Sequence, residues 1–244
     1  MTTLDQAWAL VADVDGWMSH DQAAALFAAA AACPTDGRIV EIGSFRGRST
    51  IVLASGATSG TTVIAIDPHA GNDRGPQEID GYHDQAQTDH DVFLKNLVTA
   101  GVANRVTHLR MFSEPALYEI SGPVNVLYID GAHRYQPARA DIRDWGARVN
   151  DGGTMLIHDS FSSLGVTLAI VSELFFGRRF RYVGRARSMT IYCADLDRGR
   201  VVNAVRQTAQ LPWFAKNLAL KVLLTVGLGK LLKRLRRPVP EWPY

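Results

Sequence analysis

A glycine-containing turn between residues 39 and 50 is the first stretch whose residues could bind a ligand. The segment IVEIGSFRGRST has an apolar run around Glu41, then Gly43 and Gly47, and then a helical pattern. A strand, a turn and a helix in this order hold nucleotide-like ligands in α/β proteins. Phe45 stands where a dinucleotide-binding turn needs its middle glycine, and the segment lacks the GK[ST] of a phosphate-binding loop. The turn therefore predicts a ligand without a pyrophosphate and argues against an NAD-dependent reductase.

An acid follows the next apolar run. Asp67 ends TVIAID, about twenty residues beyond the glycines. A carboxylate at the end of a second strand can accept hydrogen bonds from both hydroxyls of a ribose. Together with the glycine turn it predicts a site for S-adenosylmethionine (SAM), which carries no phosphate and needs close approach of the backbone. The alternative is a tight turn followed by a surface acid.

Acidic and imidazole side chains follow two later apolar runs. Asp130 ends VNVLYID, His158 and Asp159 end TMLIHD, and His133 comes three residues after Asp130. If both runs are parallel strands, these side chains should converge at the carboxyl edge of the sheet, where ligands bind. A histidine can accept a proton from an aligned hydroxyl near neutral pH. The alternative for His133 is a capping or surface role.

Predicted strands and helices alternate from Ile39 to Asp195, and they position these residues. Continuous apolar runs between helical patterns predict an α/β fold with a doubly wound, mostly parallel sheet. The predicted strands are IVEIG (39–43), TVIAID (62–67), VTHLRM (106–111), VNVLYID (124–130), TMLIHD (154–159), FRYVGRA (180–186) and MTIYCAD (189–195). The last two should form an antiparallel pair. The predicted helices span residues 20–33, 47–57, 89–100, 114–120, 135–149 and 164–175.

Four ordered segments resemble the class I SAM-dependent methyltransferases. They are VEIGSFRGRST, IAID, VLYIDGAHRYQPARADIRDW and DGGTMLIHDS. The chain is most similar to the catechol-type and the macrolide- and sugar-tailoring O-methyltransferases, over about Asp15 to Asp195. The resemblance implies a seven-stranded Rossmann-like fold, SAM as the cofactor and methyl transfer to a hydroxyl. The residues that it implies for SAM binding are Trp17, Met18, Glu41, Gly43, Ser44, Gly47, Ser49, Asp67, Met111, Phe112, Ser113 and Asp130.

The same resemblance implies the residues at the reacting end. Metal-dependent members hold one Mg²⁺ with the acid after the fourth strand and two consecutive ligands after the fifth, which here are Asp130, His158 and Asp159. The family usually has a carboxylate where His158 stands, and imidazole suits Mn²⁺ or Zn²⁺ better than Mg²⁺. A softer metal, a different role for His158 and the absence of a metal all remain open. The family often places its general base at the position of His133, with the acceptor over Asp130.

Composition and charge divide the chain into a body and an extension. The 244 residues suffice for one large domain with an appendage. Residues 198–240 contain ten Lys or Arg and no acid, so the net charge of +2 leaves about −8 on the remainder. We therefore predict a methyltransferase domain over residues 1–197 and a basic extension over 198–244. An acidic body argues against nucleic acid as a partner.

Two features of the sequence predict a cytoplasmic location. The acidic start of the chain is unlike a signal peptide, and Cys33 and Cys193 fit reduced thiols.

Two segments, one polar and one basic, indicate which acceptor and which other partners the protein could bind. Residues 69–91, with His69, His83 and His90, predict a lid-like loop, and their polar character favours a saccharide acceptor over a small phenol or catechol. The segment from Leu211 predicts a basic amphipathic helix too short to span a bilayer. It could lie on the inner face of a membrane, or pack on the body or on a second subunit of a homodimer. A SAM-binding protein without catalysis is the alternative to an enzyme.

Overall fold

A seven-stranded sheet forms the centre of the molecule. The structure is a computed structural model, and it describes residues 2–70, 82–197 and 199–225. The strand order is β3-β2-β1-β4-β5-β7-β6, with the first five strands parallel and β7 antiparallel to both of its neighbours. The strands are β1 (Arg38–Ile42), β2 (Thr62–Ile66), β3 (Val106–Leu109), β4 (Val124–Ile129), β5 (Val149–Ile157), β6 (Arg181–Ala186) and β7 (Met189–Cys193). The predicted fold class and the antiparallel pair at the C-terminal end of the sheet are confirmed.

Helices cover both faces of the sheet. They are α1 (Leu4–Leu10), α2 (His20–Ala31), α3 (Arg48–Gly56), α4 (Tyr82–Thr99), α5 (Ser113–Glu119), α6 (Tyr135–Ala140), α7 (Leu164–Glu173), α8 (Arg200–Thr208) and α9 (Leu211–Thr225). Helix α2 begins with a capping box, in which Ser19 and Gln22 satisfy each other's backbone N–H groups. The cap fixes the position of Gln22, which reaches the candidate site described below.

Two helices differ from the sequence prediction. Helix α4 begins at Tyr82 rather than Asp89, so the lid-like loop predicted over residues 69–91 is shorter; residues 71–81 lie outside the described residues. The polar start of α4 has no apolar stripe, but Gln87 donates a hydrogen bond to Asp91 one turn later at 2.9 Å. The predicted helix 135–149 ends as α6 at Ala140 and continues as a π-helical turn over Asp141–Trp145 and a 3₁₀ turn over Gly146–Arg148.

Apolar layers on the two faces of the sheet enclose an acid. Val40 and Ile42 of β1 face the layer formed with α5, α6 and α7, whereas Ile39 faces the layer formed with α2 and α3. Because successive side chains of a strand point to opposite faces, Glu41 points into the same layer as Ile39. It is fully buried there, directly beneath the turn that follows β1.

Candidate functional site

The glycine turn after β1 lies directly against the end of β4. Gly43 has a φ of +88°, and a Cβ atom at this position would lie 2.3 Å from the carbonyl oxygen of Asp130. Only glycine fits both this conformation and this contact. The Asp130 N–H in turn donates to the Ile42 carbonyl at 2.8 Å. The packing of the two loops therefore brings Asp130 next to the turn, as the sequence predicted for a shared edge.

Asp67 faces the same turn from the end of β2. Its Oδ2 atom accepts hydrogen bonds from the backbone N–H groups of Ser44 at 2.9 Å and Phe45 at 2.8 Å. Its Oδ1 atom accepts the N–H of His69 at 2.8 Å. The side chain is 17% exposed. The acid predicted for a ribose therefore fixes the conformation of the glycine turn while part of its carboxylate stays accessible.

Glu41 and Ser49 lie beneath the turn and contact each other. Both carboxylate oxygens of Glu41 are used, one accepting from the Ser49 hydroxyl and the other from the Thr50 hydroxyl. Burial raises the pKa of Glu41 to about 8, although the two hydrogen bonds lower it in part. The side chain is thus enclosed, and its protonated form persists to a higher pH than that of an ordinary glutamate. This placement stabilises the junction of β1 and α3, and it gives Glu41 no exposed oxygen for a ligand.

The loops after β4 and β5 bring three possible metal or proton-transfer groups together. His133 Nε2 lies 2.6 Å from Asp159 Oδ2. One ligand atom from each of Asp130, His133 and Asp159 lies within 4.8 Å of the others. Burial alone would raise the pKa of Asp159, but hydrogen bonds from His133 and His158 hold it well below its ordinary value. Asp159 is therefore an ionised carboxylate next to an imidazole.

His158 lies behind this group and is 2% exposed. Its Nδ1 atom is 3.2 Å from Asp130 Oδ1 and 3.7 Å from Asp159 Oδ1. Burial disfavours the imidazolium, but the two carboxylates outweigh this effect and raise the pKa of His158. The ring thus carries a proton on Nδ1, facing the carboxylates, whether it is neutral or charged. His158 balances their charge from the interior.

Gln22 contacts this histidine and was not singled out in the sequence. Its Nε2 atom lies 3.1 Å from His158 Nε2 and donates to the Ser188 hydroxyl at 3.2 Å. Its Oε1 atom accepts the Ser19 N–H at 2.8 Å, which turns the amide nitrogen toward the histidine. The only local signal for Gln22 is its place in the capping box. The cap thus links α2 to the reacting edge of the sheet.

Comparisons with known proteins agree with this fold. Residues 40–160 match the family model described as a methyltransferase domain. These residues are a methyltransferase domain, and the chain has the fold of the class I SAM-dependent methyltransferases. Similar solved structures include cofactor-bound Rv0187 from MTB, with a TM-score of 0.54 and 20% identity over 80% of this chain and 90% of that one. An O-methyltransferase from Bacillus cereus in complex with SAH has a TM-score of 0.51 and 16% identity over 78% and 90% of the two chains. The O-methyltransferase TomG from Streptomyces achromogenes, in complex with SAM, has a TM-score of 0.52 and 16% identity over 79% and 89%.

The remaining residues expected at the cofactor of this methyltransferase lie on both sides of the turn. The Trp17 ring packs against Phe45, with ring centroids 5.6 Å apart, and is 40% exposed. Met18 is buried in the core, and Phe112 is exposed. The Ser113 hydroxyl donates to Asp141 at 2.5 Å. Met111 packs on the edge of the core. Trp17 and Phe112 are thus the large side chains of this set that remain accessible.

Three histidines of the methyltransferase form a cluster that sequence spacing did not indicate. The rings of His69, His90 and His108 lie with centroids 5.1–5.2 Å apart. His69 Nε2 lies 2.8 Å from the Phe45 carbonyl oxygen. Burial, together with the other two histidines, lowers the pKa of His108 to about 4. The cluster supports Asp67 and the glycine turn from the β3 side.

Several buried polar atoms of the methyltransferase suit the ligands that the family binds. Within the described residues, Ser44 Oγ is buried without a hydrogen-bond partner, and Asp130 Oδ1 has only its 3.2 Å contact with His158 Nδ1. Buried polar atoms are normally satisfied, so their grouping at the turn fits a polar ligand there. Gly43 lets the backbone of the loop after β4 pack directly against the turn. Two carboxylates with one imidazole also form a donor set that suits Mn²⁺.

Proposed function

We propose that this methyltransferase transfers a methyl group from SAM to a hydroxyl of a saccharide or of a glycosylated small molecule. The observation that carries the proposal is the meeting of the glycine turn, Asp130 and the His133–Asp159 pair at one edge of the sheet. Cofactor and acceptor can therefore be held side by side. Two of the similar structures are titled O-methyltransferases, which supports oxygen as the methylated atom.

The turn and the acid after β2 would hold the cofactor. Gly43 and Ser44 lie where the amino-acid part can approach the backbone, Asp67 lies where the ribose hydroxyls can reach its carboxylate, and Trp17 lies beside the turn. Glu41 would act indirectly, because its oxygens are occupied by Ser49 and Thr50. When bound, SAM supplies a methyl group whose sulfonium sulfur is a good leaving group.

His133 would accept the proton of the acceptor hydroxyl. Its Nε2–H group faces the ionised Asp159, which leaves the Nδ1 lone pair as the basic nitrogen. Nδ1 is buried and has no hydrogen-bond partner within the described residues. The proposal therefore requires the loop after β4 to open when the acceptor binds. Asp159 would stabilise the imidazolium that forms, and Asp130 would position the hydroxyl.

The second candidate mechanism uses a divalent metal, which the clustered ligand atoms of Asp130, His133 and Asp159 favour. A bound Mn²⁺ or Mg²⁺ would bind the acceptor hydroxyl and lower its pKa. His158 was the third ligand expected from the family, but its buried ring already faces both carboxylates, so His133 is the better donor. Titration with Mn²⁺, followed by its electron paramagnetic resonance, tests this alternative without turnover. Metal binding that His133→Ala removes and His20→Asn preserves would assign His133 as a ligand rather than the base.

The saccharide preference rests on the polar character of residues 69–91. A small phenol or catechol would more often be enclosed by apolar and aromatic side chains. Methyl transfer from isotopically labelled SAM to a panel of saccharides, glycosides and catechols tests this preference. Transfer only to catechols would replace the saccharide proposal. SAH binding without transfer to any acceptor would favour a SAM-binding protein without catalysis.

Calorimetric titration of SAH into the full chain tests the cofactor assignment. We expect binding in the micromolar range, with NADH giving no heat because Phe45 occupies the position of the middle glycine. Absence of SAH binding would contradict the proposed function. We also propose a cytoplasmic homodimer, which light scattering of the purified chain and cell fractionation can test.

A further inference from the structure

Helix α8 packs on the sheet with its polar side inward. Asn203 and Gln207 are buried, with 4% and 0% of their surface exposed. Asn203 Oδ1 accepts the Tyr182 N–H at 2.8 Å, and its Nδ2 donates to the Phe180 carbonyl at 3.0 Å. Gln207 Oε1 accepts the Tyr192 hydroxyl at 3.1 Å. Amide side chains thus attach α8 to the edge of the sheet at β6 and β7, where a surface helix normally uses an apolar face.

The apolar side of α8 faces outward. Val201, Val202 and Val205 are 77%, 58% and 61% exposed. At about 100° per residue these positions share the side of the helix opposite Asn203 and Gln207. Arg206 is exposed beside this stripe, and Arg200 is exposed at the first residue of the helix. A group of exposed valines with a cationic border indicates a contact surface.

Charge identifies the class of partner. Residues 198–240 carry ten cations and no acid, and five of those cations belong to the nineteen residues that follow Thr225. Aliphatic side chains beside exposed arginines suit an anionic lipid surface, because the apolar groups enter the interface and the cations are attracted to the lipid phosphates. A two-fold contact with a second copy through this stripe would bring the Arg206 side chains of both copies into one interface. Among residues 2–70, 82–197 and 199–225, no helix is long and apolar enough to cross a bilayer.

We propose that helix α8 docks this methyltransferase on an anionic membrane surface, with Val201, Val202 and Val205 entering the lipid interface. Helix α9 links this surface to the catalytic edge, because Asn217 Nδ2 donates to the Phe161 carbonyl at 3.1 Å. Phe161 follows Asp159 by two residues. The acceptor would then be an amphiphile whose saccharide part is presented at the membrane, and this part of the proposal rests on the proposed function.

Co-sedimentation with vesicles tests the docking surface in the absence of substrate. We expect the full chain to bind vesicles of phosphatidylcholine with added phosphatidylglycerol, not phosphatidylcholine alone, and to be released by high salt. Val201→Asp/Val205→Asp should lower the bound fraction about tenfold. Val183→Asp is the matched control, because this valine is 53% exposed on β6 and lies outside the extension. Arg200→Gln/Arg206→Gln tests the same surface if the double aspartate variant does not fold.

Each of the other outcomes overturns the docking proposal or changes the surface to which it applies. Wild-type chain that stays in the supernatant with both vesicles would overturn the proposal. If light scattering then showed that Val201→Asp/Val205→Asp changes a dimer into a monomer, the stripe would be an interface between copies. Equal binding of wild type and both α8 variants would place the lipid contact elsewhere. SAH calorimetry on the same variants separates the two proposals, since docking can fail while cofactor binding stays intact.

Discussion

His133 Nε2 lies 2.6 Å from Asp159 Oδ2, so an imidazole from the loop after β4 meets a carboxylate from the loop after β5. The pair forms because β4 and β5 are adjacent parallel strands, whose carboxyl ends meet at one edge. Asp159 remains ionised and can stabilise a positive charge on the ring. The arrangement fits proton acceptance better than a capping role for His133.

Replacing His133 should slow the chemical step and spare cofactor binding. We expect His133→Asn to lower kcat about 10²- to 10³-fold on the acceptor found by screening, because a general base contributes this much. SAH affinity should change little, since the glycine turn is untouched. Asp159→Asn should have a similar effect, and the double variant should be far from additive. Initial rates and SAH calorimetry measure both quantities.

His20→Asn is the control for this series. His20 is exposed at the start of α2 and contacts the Trp8 ring. The His20→Asn variant should therefore retain the wild-type rates of methyl transfer. Full turnover by His133→Asn near neutral pH would exclude His133 as the base.

Replacing Asp67 should weaken cofactor binding through the glycine turn. Its carboxylate accepts three backbone N–H groups, from Ser44, Phe45 and His69. Asp67→Ala leaves these donors without their acceptor, so we expect SAH affinity to fall about tenfold or more and the thermal midpoint to drop. Asp151→Ala, at a fully exposed aspartate, should change neither value. Unchanged SAH affinity in Asp67→Ala would show that the ribose does not use this acid.

The sequence predicted the strands and most of the helices, and it predicted which edge of the sheet carries the site residues. It did not predict the contacts between elements that are distant in the chain. Strand-like runs located all seven strands, and most of the parallel ones are continuously apolar because both of their faces are buried. The order of strands then implied that Asp130, His158 and Asp159 converge. Gln22 was missed because its contact with His158 joins residues 136 positions apart. Periodicity reports which face of an element is buried, not which side chain it meets there.

The same limit explains why the π-helical turn and the outward apolar side of α8 were not predicted. Residues 135–149 have one helical pattern, because Asp141, Ile142 and Trp145 share the buried side at α-helical as well as at π-helical spacing. No residue pattern within that segment indicates the change. The outward valines of α8 follow from amide contacts with β6 and β7, which are visible only once the sheet edge is known.

Replacing Asn217 should destabilise the loop that carries Asp159. Asp159 and Phe161 have φ values of +51° and +56°, which are unfavourable for residues other than glycine. The Asn217 side chain, 3% exposed, donates to the carbonyl of Phe161 and holds this conformation. Asn217→Leu should lower the free energy of unfolding by about 1–3 kcal/mol, because a buried carbonyl loses its donor. It should also lower kcat at temperatures where the variant is folded.

Urea denaturation and initial rates measure the two effects of Asn217→Leu. The control is Lys216→Ala, at the exposed position before Asn217. A stability loss with unchanged kcat would limit Asn217 to a structural role.

The buried Glu41 should make the free energy of unfolding decrease as the pH rises. Burial raises its pKa to about 8, with hydrogen bonds from Ser49 and Thr50 lowering it in part. Between the ordinary pKa, about 4.5, and about 8, the folded chain holds a proton that the unfolded chain releases. The stabilisation that the Glu41 proton gives to the folded chain is therefore complete below the ordinary pKa. As the pH rises from there through about 8, the free energy of unfolding falls by up to about 1.4 kcal/mol per pH unit.

Glu41→Gln should flatten the pH dependence of unfolding in urea, whereas the exposed control Glu119→Gln should follow the wild type. Parallel curves for wild type and Glu41→Gln would show that Glu41 is ionised in the folded chain.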